Sequence, residues 1–223
     1  LFQAIIDVKR ANRKREDAGI AIEPIESKLI FCEHPHVFTL GKSGEQSHLL
    51  VNEKQLAEKG ANFYKINRGG DITYHGPGQL VAYPIIKWRR EEHNIRGIIG
   101  RLEDWAIAAM KDCGIDAYKD RKMQGAWVDG YKVCSIGLSF LHWVSRHGMS
   151  INVCTPKGRV EGLEGCGMNA GMHTSLDSLG YHHDSGGSPI DCERMGVAML
   201  ERCHEILGRE PDEPVKWTPE ILA

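Results

Sequence analysis

The chain has 223 residues and a formal net charge of −2 at pH 7, from 28 Lys and Arg against 30 Asp and Glu. This near-neutral balance offers no broad positive field for nonspecific binding to nucleic acids or membranes, and no apolar run is long enough to span a bilayer. Seven cysteines, an odd number at irregular spacings, favour free thiols over a disulfide scaffold. We therefore expect a cytoplasmic protein, and the sequence leaves a bacterial cytoplasm and an organelle open.

In chain order, apolar periodicity and turn signals predict a few helices and many short strands. The predicted helices cover residues 2–17, 53–59, 95–113 and 190–207. The predicted strands cover residues 28–32, 37–40, 63–66, 79–86, 125–128, 131–137 and 149–153. Because this order lacks a regular alternation of strand and helix, it indicates an α+β domain. We interpret 1–223 as a single domain with an irregular tail from about residue 209.

Three local features refine these elements. Asp129-Gly130 is a strong hairpin signal between two predicted strands. Pro84 has no backbone N–H, so it suits an edge strand or the end of a strand. The helix over 95–113 carries an apolar stripe that predicts its buried face: Ile98, Ile99, Leu102, Trp105, Ala106, Ala109 and Met110.

The densest motif is the stretch 68–79, which runs from Arg68 to Gln79 between two predicted strands. Four of its twelve residues are glycines, and the rest include Asp71, Thr73 and His75. A long polar hairpin loop would explain the glycines but not the accompanying charged and imidazole groups. A loop that holds a substrate explains both, because glycines let backbone N–H groups approach a ligand. The motif is not a phosphate-binding P-loop, since no Gly-Lys-Ser/Thr follows.

Cys166 lies between Gly165 and Gly167, which leave its thiol unhindered and its neighbouring amides free to stabilise an oxyanion. The alternative is a loop cysteine without a role. We interpret the other six cysteines mainly as small packing residues. The Cys203-His204 and His34-Pro35-His36 sequences lack paired zinc-type spacing, so no metal site is expected.

Lys132 lies inside the predicted strand 131–137. Strand alternation places it on the face of Cys134 and Ile136, which suggests burial, although a lysine in a strand usually faces solvent. A buried lysine has a lowered pKa and can act as a base or as the charge partner of a thiolate. Spacing alone does not pair Lys132 with Cys166.

Several blocks of the sequence, in order, resemble the lipoyl(octanoyl) transferase family. They are the stretch 68–79 with Tyr83, Glu33-His34-Pro35 with 39–44, 130–137, 147–153, and Cys166-Gly167 with 174–176. The resemblance implies an α+β fold similar to the catalytic domains of biotin and lipoate protein ligases, with a mixed sheet flanked by helices and a smaller second sheet.

The resemblance also implies site residues. Cys166 would be the acyl-accepting nucleophile, and Lys132 would lower its pKa or serve as its general base. The acyl pocket would be formed by Arg68, Gly69, Gly70, Asp71, Ile72, Thr73, Tyr74, His75, Ser135, Ile136, Gly137, Gly148, Met149 and Ser150. The sequence departs from the family pattern at Gly165 and Glu164, where the family usually has Pro and Asn, and at Ser150, where a small apolar residue is common.

The implied reaction transfers octanoyl from octanoyl-acyl carrier protein to a lysine of a lipoyl domain through an octanoyl-cysteine thioester. The acceptors would be the E2 subunits of 2-oxoacid dehydrogenases and the glycine cleavage H protein. No cofactor would be needed beyond the phosphopantetheine of the donor, and a monomer is expected. The alternatives are an ATP-dependent lipoate or biotin ligase, a transferase acting between lipoyl proteins, and a noncatalytic acyl-carrier-binding module.

Overall fold

A computed structural model describes residues 2–21, 25–45, 53–58, 60–121, 123–161 and 171–215. The α-helices are α1 Phe2–Asp17, α2 Glu53–Glu58, α3 Ile95–Asp112, α4 Cys192–Glu201 and α5 Cys203–Leu207. The strands are β1 Lys28–Cys32, β2 Val37–Leu40, β3 Asn62–Lys65, β4 Ile72–His75, β5 Gln79–Ile85, β6 Tyr118–Lys119, β7 Ala126–Val128, β8 Tyr131–Lys132, β9 Cys134–Leu141 and β10 Val144–Asn152. The predicted α+β class is confirmed.

The largest sheet is antiparallel and has the strand order β1-β5-β10-β9. Strand β5 is therefore an interior strand, so the first of the two predictions from Pro84, an edge strand, is wrong. On the β1 side, Pro84 lies opposite Leu29. On the β10 side, the paired residues of β5 end at Ala82, two residues before Pro84. The missing N–H consequently falls at the strand end, where no bond to β10 is lost.

Two smaller sheets complete the architecture. In the first, of order β3-β2-β4, the pairing of β2 with β3 is parallel and that with β4 is antiparallel. The second is antiparallel, of order β6-β7-β8. The hairpin predicted at Asp129-Gly130 is confirmed between β7 and β8, and both of its turn residues have positive φ, 51° and 86°.

The main core forms where α3 and α4 pack against the strands. The predicted stripe of α3 is confirmed, because all of its members except the half-buried Ile99 are buried. Trp105 packs beside Phe31 and donates its indole N–H to the carbonyl of Met199, 2.6 Å away, which ties α3 to α4. Within the described ranges, none of the helices has both the length and the apolarity needed to cross a membrane.

The structure corrects two predicted elements. The strand expected over 131–137 is two strands that belong to different sheets and separate at Val133. Val133 and Cys134 are both buried, so simple face alternation does not run through this segment. The helix expected over 190–207 begins at its cap Asp191 and divides at Arg202, whose guanidinium binds the carboxylate of Asp112 on α3.

Candidate active site

A cavity of about 300 Å³ lies where the four-stranded sheet meets the smaller mixed sheet. The structure gathers around it Lys132 and all but one of the residues expected in the acyl pocket, namely Arg68, Gly69, Gly70, Asp71, Ile72, Thr73, His75, Ser135, Ile136, Gly137, Gly148, Met149 and Ser150. Its other lining residues include apolar side chains that were not anticipated, such as Val37, Ile66 and Val81. Most of its walls are therefore suited to an alkyl chain.

Tyr74 is the predicted pocket residue that does not line the cavity. It is fully buried on the opposite side of β4 from His75, because neighbouring side chains of a strand alternate between faces. Its hydroxyl hydrogen-bonds the Nδ1 of His36 at 2.6 Å, and its ring packs against Phe38. The block 68–75 contributes to the cavity without its tyrosine.

The Arg68 side chain is buried and holds the glycine-rich segment in place. Its guanidinium donates to the carbonyl oxygen of Thr39 at 2.7 Å, to the Thr39 hydroxyl, and to the carbonyl of Gly69. The N–H of Gly69 in turn donates to the carbonyl of Leu138 on β9 at 2.8 Å. This segment therefore joins the mixed sheet to the main sheet, and much of the donor capacity of Arg68 is used within the protein.

His75 belongs to a chain of buried amides that fixes its tautomer. The amide nitrogen of Gln79 donates to the carbonyl of Tyr74 and to the side-chain oxygen of Asn152, whose own amide nitrogen donates to the carbonyl of Thr174. The remaining Gln79 oxygen must accept from the His75 Nδ1, 2.6 Å away. The Nε2 of His75 is then an unprotonated acceptor. Burial lowers the pKa of His75 to about 4, so the ring is neutral near pH 7.

A second imidazole–phenol pair lies beside His75. The ring of His34 is 5.8 Å from that of His75, and its Nε2 hydrogen-bonds the Tyr83 hydroxyl at 2.6 Å. Burial lowers the pKa of His34 and raises the pKa of Tyr83 to about 12. Both side chains line the cavity as neutral polar groups. From the sequence, His34 belonged to a rejected metal motif and to a block of the family resemblance, but it was not predicted to be a site residue.

The burial predicted for Lys132 is confirmed: the residue is 8% exposed at the end of β8, and it lines the cavity. Its main-chain N–H donates to the carbonyl of Met172 at 2.8 Å, and its carbonyl accepts from the N–H of Thr174. Gly125 makes room for the side chain, since a Cβ there would lie 2.8 Å from the lysine Cε. Lys132 is thus set between β7 and the segment that begins at 171.

His173 is a site residue that the sequence analysis missed. It pairs with Lys132 in a parallel bridge, is 7% exposed and lines the same cavity. Its Nδ1 is buried and has no hydrogen-bond partner among the residues that the structure describes. Burial, and then the charge of Lys132, lower the pKa of His173 to about 4. His147 also lines the cavity, and its buried Nε2 has no partner in the described ranges; from the sequence it belonged only to a block of the family resemblance.

Cys166, Gly165, Gly167 and Glu164 lie outside the described residues. The described residues that flank this segment meet next to Lys132, because the N–H of Gly171 donates to the carbonyl of Glu161 at 2.6 Å. The predicted packing role is confirmed for the cysteines that are buried: Cys113, Cys134, Cys192 and Cys203. Cys32 is half-buried, whereas Cys154 is exposed.

The part of the chain that the structure describes contains no cluster of three or more His, Cys, Asp or Glu side chains suited to a metal ion. The groups that face the cavity are instead a buried lysine, several imidazoles and apolar walls. Together they provide proton acceptors, hydrogen-bond donors and a binding surface for an alkyl chain.

The model of the lipoyl protein ligase A/B catalytic domain family matches residues 14–166 of this chain. This match covers well over half of the sequence. The chain belongs to the lipoyl protein ligase A/B catalytic domain family. The predicted family resemblance is thereby confirmed.

Several members of this family are similar to the chain over most of its length. An octanoyltransferase of Flavobacterium johnsoniae is 42% identical over 182 residues, which cover 79% of this chain and 77% of that protein. An octanoyltransferase of Christiangramia forsetii is 36% identical over 94% of this chain and 88% of its own length. One from Bacteroides fragilis is 39% identical over 80% of this chain and 82% of its own.

Solved structures of lipoate ligases share the fold of this family member. Lipoate-protein ligase A bound with ATP superposes with a TM-score of 0.69 at 12% identity, covering 88% of this chain and 79% of that one. The bi-partite lipoate protein ligase of Thermoplasma acidophilum gives 0.68 at 10% identity, covering 94% and 82%. At such low identities the likeness establishes the fold alone, and it confirms the predicted ligase-like architecture.

Proposed function

We propose that this protein is an acyltransferase that moves an octanoyl group from octanoyl-acyl carrier protein to a lysine of a lipoyl domain. The observation that carries the proposal is the 36–42% identity to octanoyltransferases over most of both chains. The lipoate ligases are similar only at 10–12% identity, so they support an ATP-dependent ligation less well. The buried lysine beside an apolar-walled cavity supports acyl transfer independently.

In the first half-reaction, the thiol of Cys166 gives its proton to Lys132, and the thiolate attacks the thioester carbonyl of the donor. A tetrahedral oxyanion forms and collapses, the pantetheine sulfur leaves, and it regains a proton from Lys132. The product is an octanoyl-Cys166 thioester. This step exchanges one thioester for another, so it needs neither a nucleotide nor a metal to activate the acyl group.

In the second half-reaction, the neutral ε-amine of the acceptor lysine attacks the octanoyl-Cys166 carbonyl. The amine loses a proton to Lys132, the sulfur of Cys166 leaves, and an amide forms. Lys132 suits both transfers because its side chain is buried, and burial disfavours the charged form of an amine. The change from thioester to amide makes this half-reaction the downhill one.

The acyl chain would lie against the apolar part of the cavity. The cavity volume of about 300 Å³ is at the small end of ligand sites, which favours a medium-length chain over a long one. Each buried methylene contributes about 0.8 kcal/mol, so chain-length preference would rest on a few kcal/mol. Ser150 adds a hydroxyl to this wall.

The partners follow from the reaction. The donor is the acyl carrier protein with its phosphopantetheine arm, and the acceptors are the lipoyl domains of 2-oxoacid dehydrogenase E2 subunits and the glycine cleavage H protein. We propose a monomer that acts in the cytoplasm. The six described cysteines are all free thiols, which supports a reducing compartment.

Intact-mass spectrometry tests the proposal. Wild-type protein incubated with octanoyl-acyl carrier protein should gain one octanoyl group, and added lipoyl domain should then remove it without ATP. Cys166→Ser should gain none, whereas Cys154→Ser, which changes an exposed thiol, should behave as wild type. Failure of the wild type to acylate would refute the transferase assignment, and lipoylation dependent on ATP and free lipoate would establish the ligase instead.

A further inference from the structure

We propose that His173 donates a hydrogen bond from its Nε2–H to the oxyanion that forms on the acyl carbonyl in each half-reaction. This inference rests on the proposed function and adds a residue to its site. His173 follows the cysteine-bearing segment in the chain, and neither the motif nor the family resemblance pointed to it.

His173 has the position that this role requires. His173 and Lys132 are held side by side, because the residues flanking His173 bond the main chain of Lys132 on both sides: Met172 through its carbonyl and Thr174 through its N–H. The acyl carbonyl must come close to Lys132 for this lysine to exchange protons with the attacking and leaving groups. A group fixed next to Lys132 and lining the same cavity is therefore close to that carbonyl.

The neutral ring of His173 also has the tautomer that this role requires. Within the described part of the chain, the Nδ1 of His173 is buried without a hydrogen-bond partner. A buried N–H that lacks an acceptor is rarer and costlier than a buried lone pair. The proton of the neutral ring therefore belongs on Nε2. His173 lines the cavity while its Nδ1 is inaccessible, so the Nε2–H is the polar group of the ring left to meet a ligand.

The surroundings of His173 keep its ring neutral, as this role requires. His173 is 7% exposed and lies beside a lysine, and both conditions disfavour a second positive charge there. A neutral imidazole is a fixed dipole that can stabilise a developing oxyanion without a proton transfer. It needs little reorganisation during the reaction, since the residue is buried and its main chain is fixed beside Lys132. The same donor serves both half-reactions, because each forms an oxyanion on the same carbonyl.

Two substitutions test this role. His173→Leu introduces an apolar side chain of similar bulk and removes the donor, whereas His173→Gln keeps an N–H donor. Loss of an oxyanion donor costs about 10²- to 10³-fold in rate. His173→Leu should therefore slow single-turnover acylation by octanoyl-acyl carrier protein and transfer to the lipoyl domain by such factors. His173→Gln should recover about tenfold or more of that loss, and the concentration of donor needed for half-saturation should change little.

The control is His182→Leu, which removes an exposed histidine later in the same segment and should alter both rates less than about twofold. Rates for His173→Leu within a few-fold of wild type, or equal losses in the Leu and Gln variants, would overturn the proposal. If the Leu variant does not fold, the ¹⁵N shifts of the wild-type ring still decide: a proton on Nε2 supports the role, and a proton on Nδ1 refutes it. Acylation of the wild-type protein is measured first. If the wild type is acylated, a normal rate in His173→Leu overturns only the role of His173 and not the proposed function.

Discussion

Gly125 and Lys132 are in such close contact that no side chain fits between them. A Cβ on Gly125 would lie 2.8 Å from the lysine Cε and 2.2 Å from the carbonyl oxygen of Cys134. The backbone of Gly125 also has a φ of +125°, which residues with a side chain rarely adopt. The glycine therefore preserves the space in which the lysine reaches the cavity.

Gly125→Ala should lower both stability and octanoyl transfer. The new methyl group meets a main-chain carbonyl that cannot move freely, and the φ adds strain, so we expect a loss of about 2 kcal/mol or more in the free energy of unfolding. Urea unfolding measures the stability, and single-turnover acylation measures the placement of Lys132. The matched control is Gly130→Ala, which has a positive φ but nothing within 4 Å of its Cβ, so it should cost less and leave the acylation rate intact. Equal effects of the two substitutions would contradict the steric argument.

Lys132→Ala should leave a folded protein that is slow in both half-reactions. Removal of a general base typically costs about 10²- to 10⁴-fold, and the octanoyl group should still form on Cys166 if the incubation is long enough. Rapid-quench measurement of acylation and of transfer to a lipoyl domain gives the two rates separately. Lys111→Ala, which changes an exposed lysine on α3, serves as the control. Normal rates in Lys132→Ala would show that another group takes the protons.

Gln79→Leu should destabilise the protein and release His75 from its fixed tautomer. It removes the Gln79 partner of the His75 Nδ1–H, of the Tyr74 carbonyl and of the Asn152 side-chain oxygen. Each buried polar group left unsatisfied costs about 1–3 kcal/mol, so a total loss of about 2 kcal/mol or more is expected.

Denaturant unfolding tests the loss of stability in Gln79→Leu, with the exposed Gln124→Leu as the control. Nitrogen chemical shifts of the imidazole test the tautomer. In the wild type, Nδ1 of His75 should carry the proton at neutral pH. A wild-type ring protonated on Nε2 would refute the chain of hydrogen bonds from Asn152 through Gln79 to His75.

Stability should fall as the pH drops from about 6.5 towards 4. His75 and His173 both have pKa values lowered to about 4 by burial, so each is neutral in the folded chain while it is protonated in the unfolded chain near pH 5. The unfolded state then binds more protons, and each such histidine contributes a slope of up to about 1.4 kcal/mol per pH unit. Urea unfolding at pH 5 and pH 7 should show the difference. It should shrink in His173→Leu, and an unchanged difference in that variant would contradict the burial of a neutral ring.

Much of the fold could be predicted from the sequence because its signals are local. The stripe of α3, the Asp129-Gly130 turn and most strands depend on residues that are neighbours in the chain. The β9–β10 hairpin could not be predicted, because its turn residues His142 and Trp143 take positive φ values, 52° and 62°, without any glycine. Trp143 stacks on His93 at 4.1 Å, a contact that no local pattern indicates.

For the candidate site, the sequence and its family resemblance indicated cavity residues in three contiguous blocks, 68–75, 135–137 and 148–150, but not their partners elsewhere in the chain. His173 and Lys132 are far apart in sequence, and only the bridge between their segments brings them together. The break at Val133 also follows from tertiary packing, since the chain passes there from one sheet to another. Face alternation, which assumes one continuous strand, could place Lys132 in a buried environment but not identify its neighbours.

The hydrogen bond between Glu161 and Gly171 joins the two described ends of the chain segment that carries the predicted nucleophile. Cys166 is the fifth residue after Glu161 and the fifth before Gly171. Met172, the next residue after Gly171, accepts the main-chain bond from Lys132. Both described ends of this segment are thus anchored beside the lysine that we propose as the base. The proposed nucleophile and the proposed base therefore belong to one connected part of the fold, whereas the acyl donor and the acceptor domain must both arrive from solution.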